Sequence, residues 1–255
     1  MTILCYHSVE PGWTSPLAVA PEAFAEHCAW LERRGVVELS EVTERLDRTG
    51  RLPRDLVALT FDDGFAALYD HAFPLLKRHR LPATVFLVAE TLTPEGREVD
   101  WVDTPPPYPM RTLTRDQVLE MAEAGIRFGS HSFSHYDLAS LSAESCLEDL
   151  RRSRELLEDL LKRPVPFLAY PRGRHNHQVH EASRKAGFTH AFTLPEEPEE
   201  LGPFAVPRAG VYPGNSPNAL RLKSSPWYLS LRTSRVFPAL RKVVKGERPP
   251  TRLPG

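Results

Sequence analysis

Asp62 and Asp63 stand side by side in Thr60-Phe61-Asp62-Asp63-Gly64, directly after the apolar run Leu56–Phe61. Adjacent strand residues point to opposite faces, but a glycine-assisted turn at a strand end can bring both carboxylates into one cleft. Two carboxylates that close repel unless a cation sits between them. The pair could equally cap the following helix, because Asp is a favoured N-cap. Downstream, His131-Ser132-Phe133-Ser134-His135 spaces two imidazoles at i and i+4. On a helical turn both rings would share a face and could reach one metal ion. Taken alone, the spacing also fits two polar loop histidines with no ligand. Two His and one carboxylate make an open zinc site with room for water and substrate.

The elements that must position these residues alternate between strand and helix. Strands are expected at Thr2–Tyr6, Val36–Leu39, Leu56–Phe61, Ala83–Ala89, Ile126–Gly129, Val165–Ala169, His190–Thr193 and Phe204–Pro207. Helices are expected at Pro21–Arg34, Glu41–Asp47, Phe65–Arg78, Thr114–Ala124, Ser142–Lys162 and His177–Ala186, with glycines closing several of them. Residues 90–111, with four prolines between Pro105 and Pro109, read as a long loop over a site. The rhythm predicts an α/β fold, a distorted (β/α) barrel of six or seven parallel strands over residues 1–220. Such barrels carry their sites at the C-terminal strand ends. Asp62-Asp63, Ser130-His131, Tyr170-Pro171-Arg172-Gly173 and Arg208 each follow a predicted strand.

In this order, Thr-Phe-Asp-Asp-Gly, His-Ser-Phe-Ser-His and Ala-Tyr-Pro-Arg-Gly resemble the polysaccharide deacetylases, the NodB homology domain of carbohydrate esterase family 4. The resemblance covers residues 2–212. It implies a distorted barrel that removes N-acetyl groups from sugars. It implies Asp62 as general base, and Asp63, His131 and His135 as ligands of one divalent ion. Zn²⁺ suits that donor set, and Co²⁺, Ni²⁺ or Mn²⁺ are compatible. Tyr170, Pro171, Arg172 and Gly173 match the groove-wall motif, with the backbone N–H of Arg172 at the oxyanion. Two departures matter. Many members carry an arginine where this chain has Ala169, and no Leu-x-His strand follows His190. Both fit a subgroup with permuted motifs, in which an N-terminal Tyr-His takes over. Tyr6-His7 follows the first strand, so His7 is the implied general acid. Arg208 is the candidate replacement for the missing arginine.

The resulting expectation is hydrolysis of the N-acetyl amide of an amino sugar, polymeric, oligomeric or lipid-linked. Alternatives are an amidase on a non-sugar carbon–nitrogen bond and a non-catalytic glycan-binding module; retention of the base Asp62 and of all three ligands, Asp63, His131 and His135, argues against the latter. His175, His177, Trp13 and Trp101 lie where they could touch substrate, or simply hold loops.

Bulk properties narrow the partners. A net charge of −1 gives no general pull toward nucleic acid. From Arg221 onward, nine basic residues face one acid, so residues 221–255 read as a basic tail, a helix plus a flexible end. Its stretch from Pro226 to Val244 suits packing on the barrel better than peripheral contact with an anionic membrane. Cys5, Cys28 and Cys146 lack metal spacing and read as buried thiols. The N-terminus has no signal-peptide pattern, which predicts a cytoplasmic protein if Met1 is the true start.

Overall fold

The computed structural model describes residues 2–53, 56–195, 197–225 and 227–234. Eight parallel strand segments form one sheet: β1 Thr2–Tyr6, β2 Val57–Phe61, β3 Thr84–Leu87, β4 Arg127–Ser130, β5 Phe167–Ala169, β6 His190–Thr193, β7 Val206–Pro207 and β8 Ala209–Gly210. The order is β8-β1-β2-β3-β4-β5-β6-β7. β7 pairs with β6 and β8 with β1, and only Arg208 separates them. They are two halves of one interrupted strand, which nearly closes the sheet into an α/β barrel of seven staves.

Side-chain alternation decides what enters the barrel. Ile3, Ala58, Phe86, Ala169, Phe192 and Val206 form one interior cluster, with Leu39, Val42 and Leu46 of helix α2 (Leu39–Thr49) packed on it. Phe86 needs the space beside Gly129, where an added Cβ would lie 2.6 Å from its ring. Continuing the same alternation past Ile3 and Ala58 puts Cys5, His7, Thr60 and Asp62 on the inner side, nearer the C-terminal mouth. Tyr6 points outward instead. Its hydroxyl donates to His27 Nδ1 at 3.1 Å, while His27 Nε2 donates to the Asn215 carbonyl at 2.6 Å.

The outer core lies between strands and helices. Helix α1 (Pro21–Arg34) starts on Pro21, buries Phe24, His27, Cys28 and Leu31, and stops at Gly35. Helix α4 (Arg115–Glu123) begins with a capping box between Thr114 and Gln117. Helix α5 (Ala143–Leu161), capped by Ser142, buries Cys146, Leu150, Leu157, Leu160 and Leu161. The same buried face carries Asp149 and Ser153. Helix α6 (His177–Lys185) is capped by Asn176.

Two expected elements differ. Val36–Leu39 is not a strand: Val37 makes one ladder-like bond, to the Val57 carbonyl at 2.9 Å, and α2 already begins at Leu39. Phe65–Arg78 is not one α-helix. A π-helical turn spans Leu68–Ala72, with Phe73 N–H bonded to Leu68 O, before helix α3 (Phe73–Arg78). Pro74 has no N–H and its ring would crowd the carbonyl four residues back, so the wider turn accommodates it.

The start of the basic segment is docked on the barrel. Helix α7 (Pro217–Lys223) packs on α1, so the boundary expected between 220 and 221 falls inside a helix. Lys223 Nζ donates to Gly210 O at 2.6 Å, and the Lys223 carbonyl accepts the Thr2 hydroxyl at 2.7 Å. A short helix, α8 (Tyr228–Arg232), follows. The expected flexible end, and most of the Pro226–Val244 stretch, lie outside the described residues. Among the described residues no helix is long and apolar enough to cross a membrane. The three cysteines are buried and free.

Candidate active site

The cleft at the C-terminal ends of the strands has a volume of about 220 Å³. Asp62, Asp63, His131, His135 and His7 line it, with Trp101, Arg172 and Leu194. Both aspartates follow β2. Asp63 and Gly64 take left-handed conformations, φ 68° and 64°, and this tight turn brings both carboxylates to one cleft. Gly64 is required twice over, because a Cβ there would also meet Leu87 Cδ2 at 2.6 Å.

The two histidines are not on a helical turn, as their spacing predicts. Ser132 and His135 have φ of 66° and 57°, and the segment is an irregular loop. Side chains hold it in place of a helical ladder. Asp149 accepts Phe133 N–H at 2.8 Å, Ser134 N–H at 3.2 Å and the Ser134 hydroxyl at 2.5 Å. Ser132 Oγ accepts His135 N–H at 2.9 Å. A buried carboxylate thereby compensates for backbone that no regular element satisfies.

The donor set fits a divalent ion. A tetrahedral ion with bonds of about 2.0–2.1 Å separates its ligand atoms by about 3.3 Å. Asp63 Oδ1 lies 3.2 Å from His135 Nε2 and 3.7 Å from His131 Nε2. His131 Nδ1 donates to the Ala169 carbonyl at 2.8 Å, which leaves the Nε2 lone pair facing Asp63. Burial lowers the His131 pKa to about 4, more than Asp62 raises it, so the ring is neutral near pH 7. Burial pushes Asp63 up, but the hydrogen bond and charge of His135 hold it below the usual carboxylate range.

Asp62 has a different environment. Arg208 Nη1 and Nη2 donate to its two oxygens at 2.6 and 2.7 Å, and the Cys5 thiol donates to Oδ2 at 3.3 Å. Burial alone would raise the Asp62 pKa; Arg208, with His131 and His7, holds it well below the usual carboxylate range. Arg208 is itself buried, bonded to Thr60 Oγ1 and lying over the Phe86 ring. The Cys5 thiol is lifted well above its ordinary range by burial, more than Arg208 lowers it, and stays protonated. His7 lies close to Cys5 and Asp62, with ligand-type atoms mutually within 4.8 Å, and its buried Nδ1 has no partner among the described residues.

The remaining sequence candidates divide. Arg172 is left-handed, φ 58°, and its guanidinium reaches out to the long loop, donating to Trp101 O at 3.0 Å and Asp103 Oδ1 at 3.3 Å. Tyr170 turns its side chain away from the cleft, into the core. Its hydroxyl donates to Phe204 O at 3.1 Å, and its ring stacks on His175 and His180. Gly173 lets Leu194 approach the wall, since a Cβ would lie 2.8 Å from Leu194 N. His175 sits away from the cleft, bonded to His180 and Glu199. Trp13 ties down the long loop, its indole donating to Thr104 O at 2.8 Å. Trp101 lies directly on the site, donating to Asp63 Oδ1 at 3.1 Å.

Sequence reasoning missed Asp149 and Cys5. A signal for each was present: Asp149 interrupts the apolar face of α5, and Cys5 shares the strand face of His7.

Fold and cleft together define the class: a parallel α/β barrel with a polar cleft at the C-terminal ends of its strands. Within that class, the chain belongs to the polysaccharide deacetylase family, whose model matches residues 49–191. That match takes in Asp62, Asp63, His131, His135 and residues 170–173; His7 and Arg208 lie outside it. YxkH of Bacillus subtilis, provisionally named a polysaccharide deacetylase, is 28% identical over 86% of this chain and 74% of its own length. A poly-β-1,6-N-acetyl-D-glucosamine N-deacetylase of Staphylococcus epidermidis is 27% identical over 71% of this chain, which spans 62% of that relative. Among solved structures, the Streptococcus pyogenes deacetylase PplD, in complex with acetate, superimposes with a TM-score of 0.74 at 26% identity, over 89% of this chain and 98% of that one.

Proposed function

We propose that this protein hydrolyses the N-acetyl amide of an amino sugar, polymeric, oligomeric or lipid-linked, releasing acetate with the help of one divalent ion, Zn²⁺ first among those that fit. The observation that carries the reading is the division of labour between neighbouring aspartates. Asp63 lies at ligand distance from two histidine nitrogens, while Asp62 is turned to Arg208. The likeness to the Staphylococcus epidermidis poly-β-1,6-N-acetyl-D-glucosamine N-deacetylase supports an N-acetylated carbohydrate as substrate, and the likeness to the acetate-bound Streptococcus pyogenes deacetylase supports acetate as the product.

An amide carbonyl is a poor electrophile and its amine a poor leaving group. A bound ion would supply Lewis acidity to the carbonyl and to water. Asp63, His131 and His135 would hold it. Asp62, kept ionised by Arg208, takes the proton of the attacking water. The backbone N–H of Arg172 donates to the oxyanion that develops on the carbonyl. His7 gives a proton to the departing nitrogen. Tyr170, Pro171 and Gly173 shape the groove wall through the backbone turn they build.

The test is acetate release from N-acetylglucosamine oligomers, peptidoglycan fragments and small N-acetyl sugars, with metal-stripped and zinc-reconstituted protein. Release only after reconstitution, and abolished in Asp62→Asn while zinc still binds, is the expected result. No acetate from any of these substrates would overturn the sugar reading.

A further inference from the structure

Two of the three proposed metal ligands are touched by one residue of the long loop. The Trp101 indole N–H donates to Asp63 Oδ1 at 3.1 Å, the oxygen that also faces both histidine Nε2 atoms. The same indole lies nearly parallel over the His135 ring, with centroids 4.9 Å apart and planes 25° from each other. His131 and His135 differ in how their rings are oriented. His131 is held by its bond to Ala169 O. His135 Nδ1 is buried and has no hydrogen-bond partner among the described residues, so the stacked indole fixes its ring instead.

Trp101 is itself held in place. Arg97 lies over its ring at 5.8 Å and is bonded to Glu90, Asp100 and the Ser134 carbonyl. Arg172 donates to the Trp101 carbonyl at 3.0 Å. The loop of residues 90–111 thus reaches Asp63 and His135 through Trp101.

We propose that Trp101 is a positioning residue of the metal centre, orienting Asp63 through its N–H and His135 through its ring, so that the loop sets metal affinity together with the barrel. The inference rests on the metal-centre reading of Asp63, His131 and His135. Groups that orient metal ligands are typically worth about 10–100-fold in affinity. Trp101→Phe keeps a ring for His135 and removes the N–H; Trp101→Ala removes both.

The experiment is competition for Zn²⁺ between a chromophoric chelator and the metal-stripped full chain. Wild type, Trp101→Phe, Trp101→Ala and Trp13→Phe are compared. Trp13→Phe cuts the Thr104 tie of the same loop without touching a ligand. We expect zinc binding to weaken about 10-fold in Trp101→Phe and up to about 100-fold in Trp101→Ala, with Trp13→Phe close to wild type. Unchanged affinity in both Trp101 variants would overturn the proposal. So would a loss in Trp13→Phe equal to that of Trp101→Ala, since general loosening of the loop would then explain it. A wild-type chain that binds no zinc would instead sink the metal reading beneath it.

Discussion

Arg208 grips both carboxylate oxygens of Asp62, at 2.6 and 2.7 Å, across 146 residues of sequence. The arginine sits where the last strand breaks between β7 and β8, and both partners are almost wholly shielded from water. The contact therefore joins the closing strand of the barrel to the proposed base. A fork-shaped guanidinium suits this task, because it meets both oxygens in one plane.

Removing one partner of this pair leaves a buried charge without compensation. Arg208→Met is expected to cost about 3–5 kcal/mol of stability in urea unfolding. The double variant Asp62→Asn/Arg208→Met should recover a large part of that loss. A double variant as unstable as Arg208→Met would show that the arginine acts through packing rather than charge.

The same pair gives a pH signature. The pKa of Asp62 is lower folded than unfolded: burial raises it, but Arg208, with His131 and His7, more than offsets that. Its stabilising contribution is therefore complete above the unfolded value of about 3.9. It fades as pH falls below that value toward the folded one. In Arg208→Met, where burial raises the Asp62 carboxyl without the guanidinium to oppose it, the stability deficit should be larger at pH 7 than at pH 3, because a protonated Asp62 needs no partner. Thermal melts of both proteins from pH 3 to 7 measure this; a deficit constant over the range contradicts it.

His7 lines the cleft with its Nδ1 buried and without a partner among the described residues. As the proposed proton donor to the leaving amine, it should affect turnover and not zinc. His7→Gln is expected to lower kcat about 10²–10⁴-fold with zinc affinity unchanged, measured by acetate release and chelator competition. Full turnover in that variant would return the acid role to another group.

Asp149 gathers three donors from the loop that carries both histidines. Asp149→Ala leaves them without an acceptor in the core. The variant should lose at least about 2 kcal/mol in urea unfolding and bind zinc more weakly than wild type. Wild-type zinc affinity in a destabilised Asp149→Ala would mean that the loop keeps its shape without the carboxylate.

The sequence by itself determined much of this protein. Strand–helix alternation was enough for the parallel barrel, because burial on both faces of a strand and on one face of a helix leaves distinct periods in a chain. Thr-Phe-Asp-Asp-Gly and His-Ser-Phe-Ser-His named the polar residues, since their types and strand-end positions are local properties. Pro74 and its π turn show the limit of this: the helical pattern of 65–78 is apolar in period, but one missing N–H changes the ladder.

What only the tertiary structure decided is the direction in which each group points. Asp62 and Asp63 are adjacent in the chain and equal in chemistry. They part because Arg208 comes from the last strand and His131 and His135 from a loop after the fourth. The histidine loop is shaped by Asp149 on a neighbouring helix, and Trp101 reaches Asp63 from 38 residues away. Irregular backbone has no period of its own. Its conformation is set by long-range hydrogen bonds and packing, and these exist only once the barrel has brought their partners together.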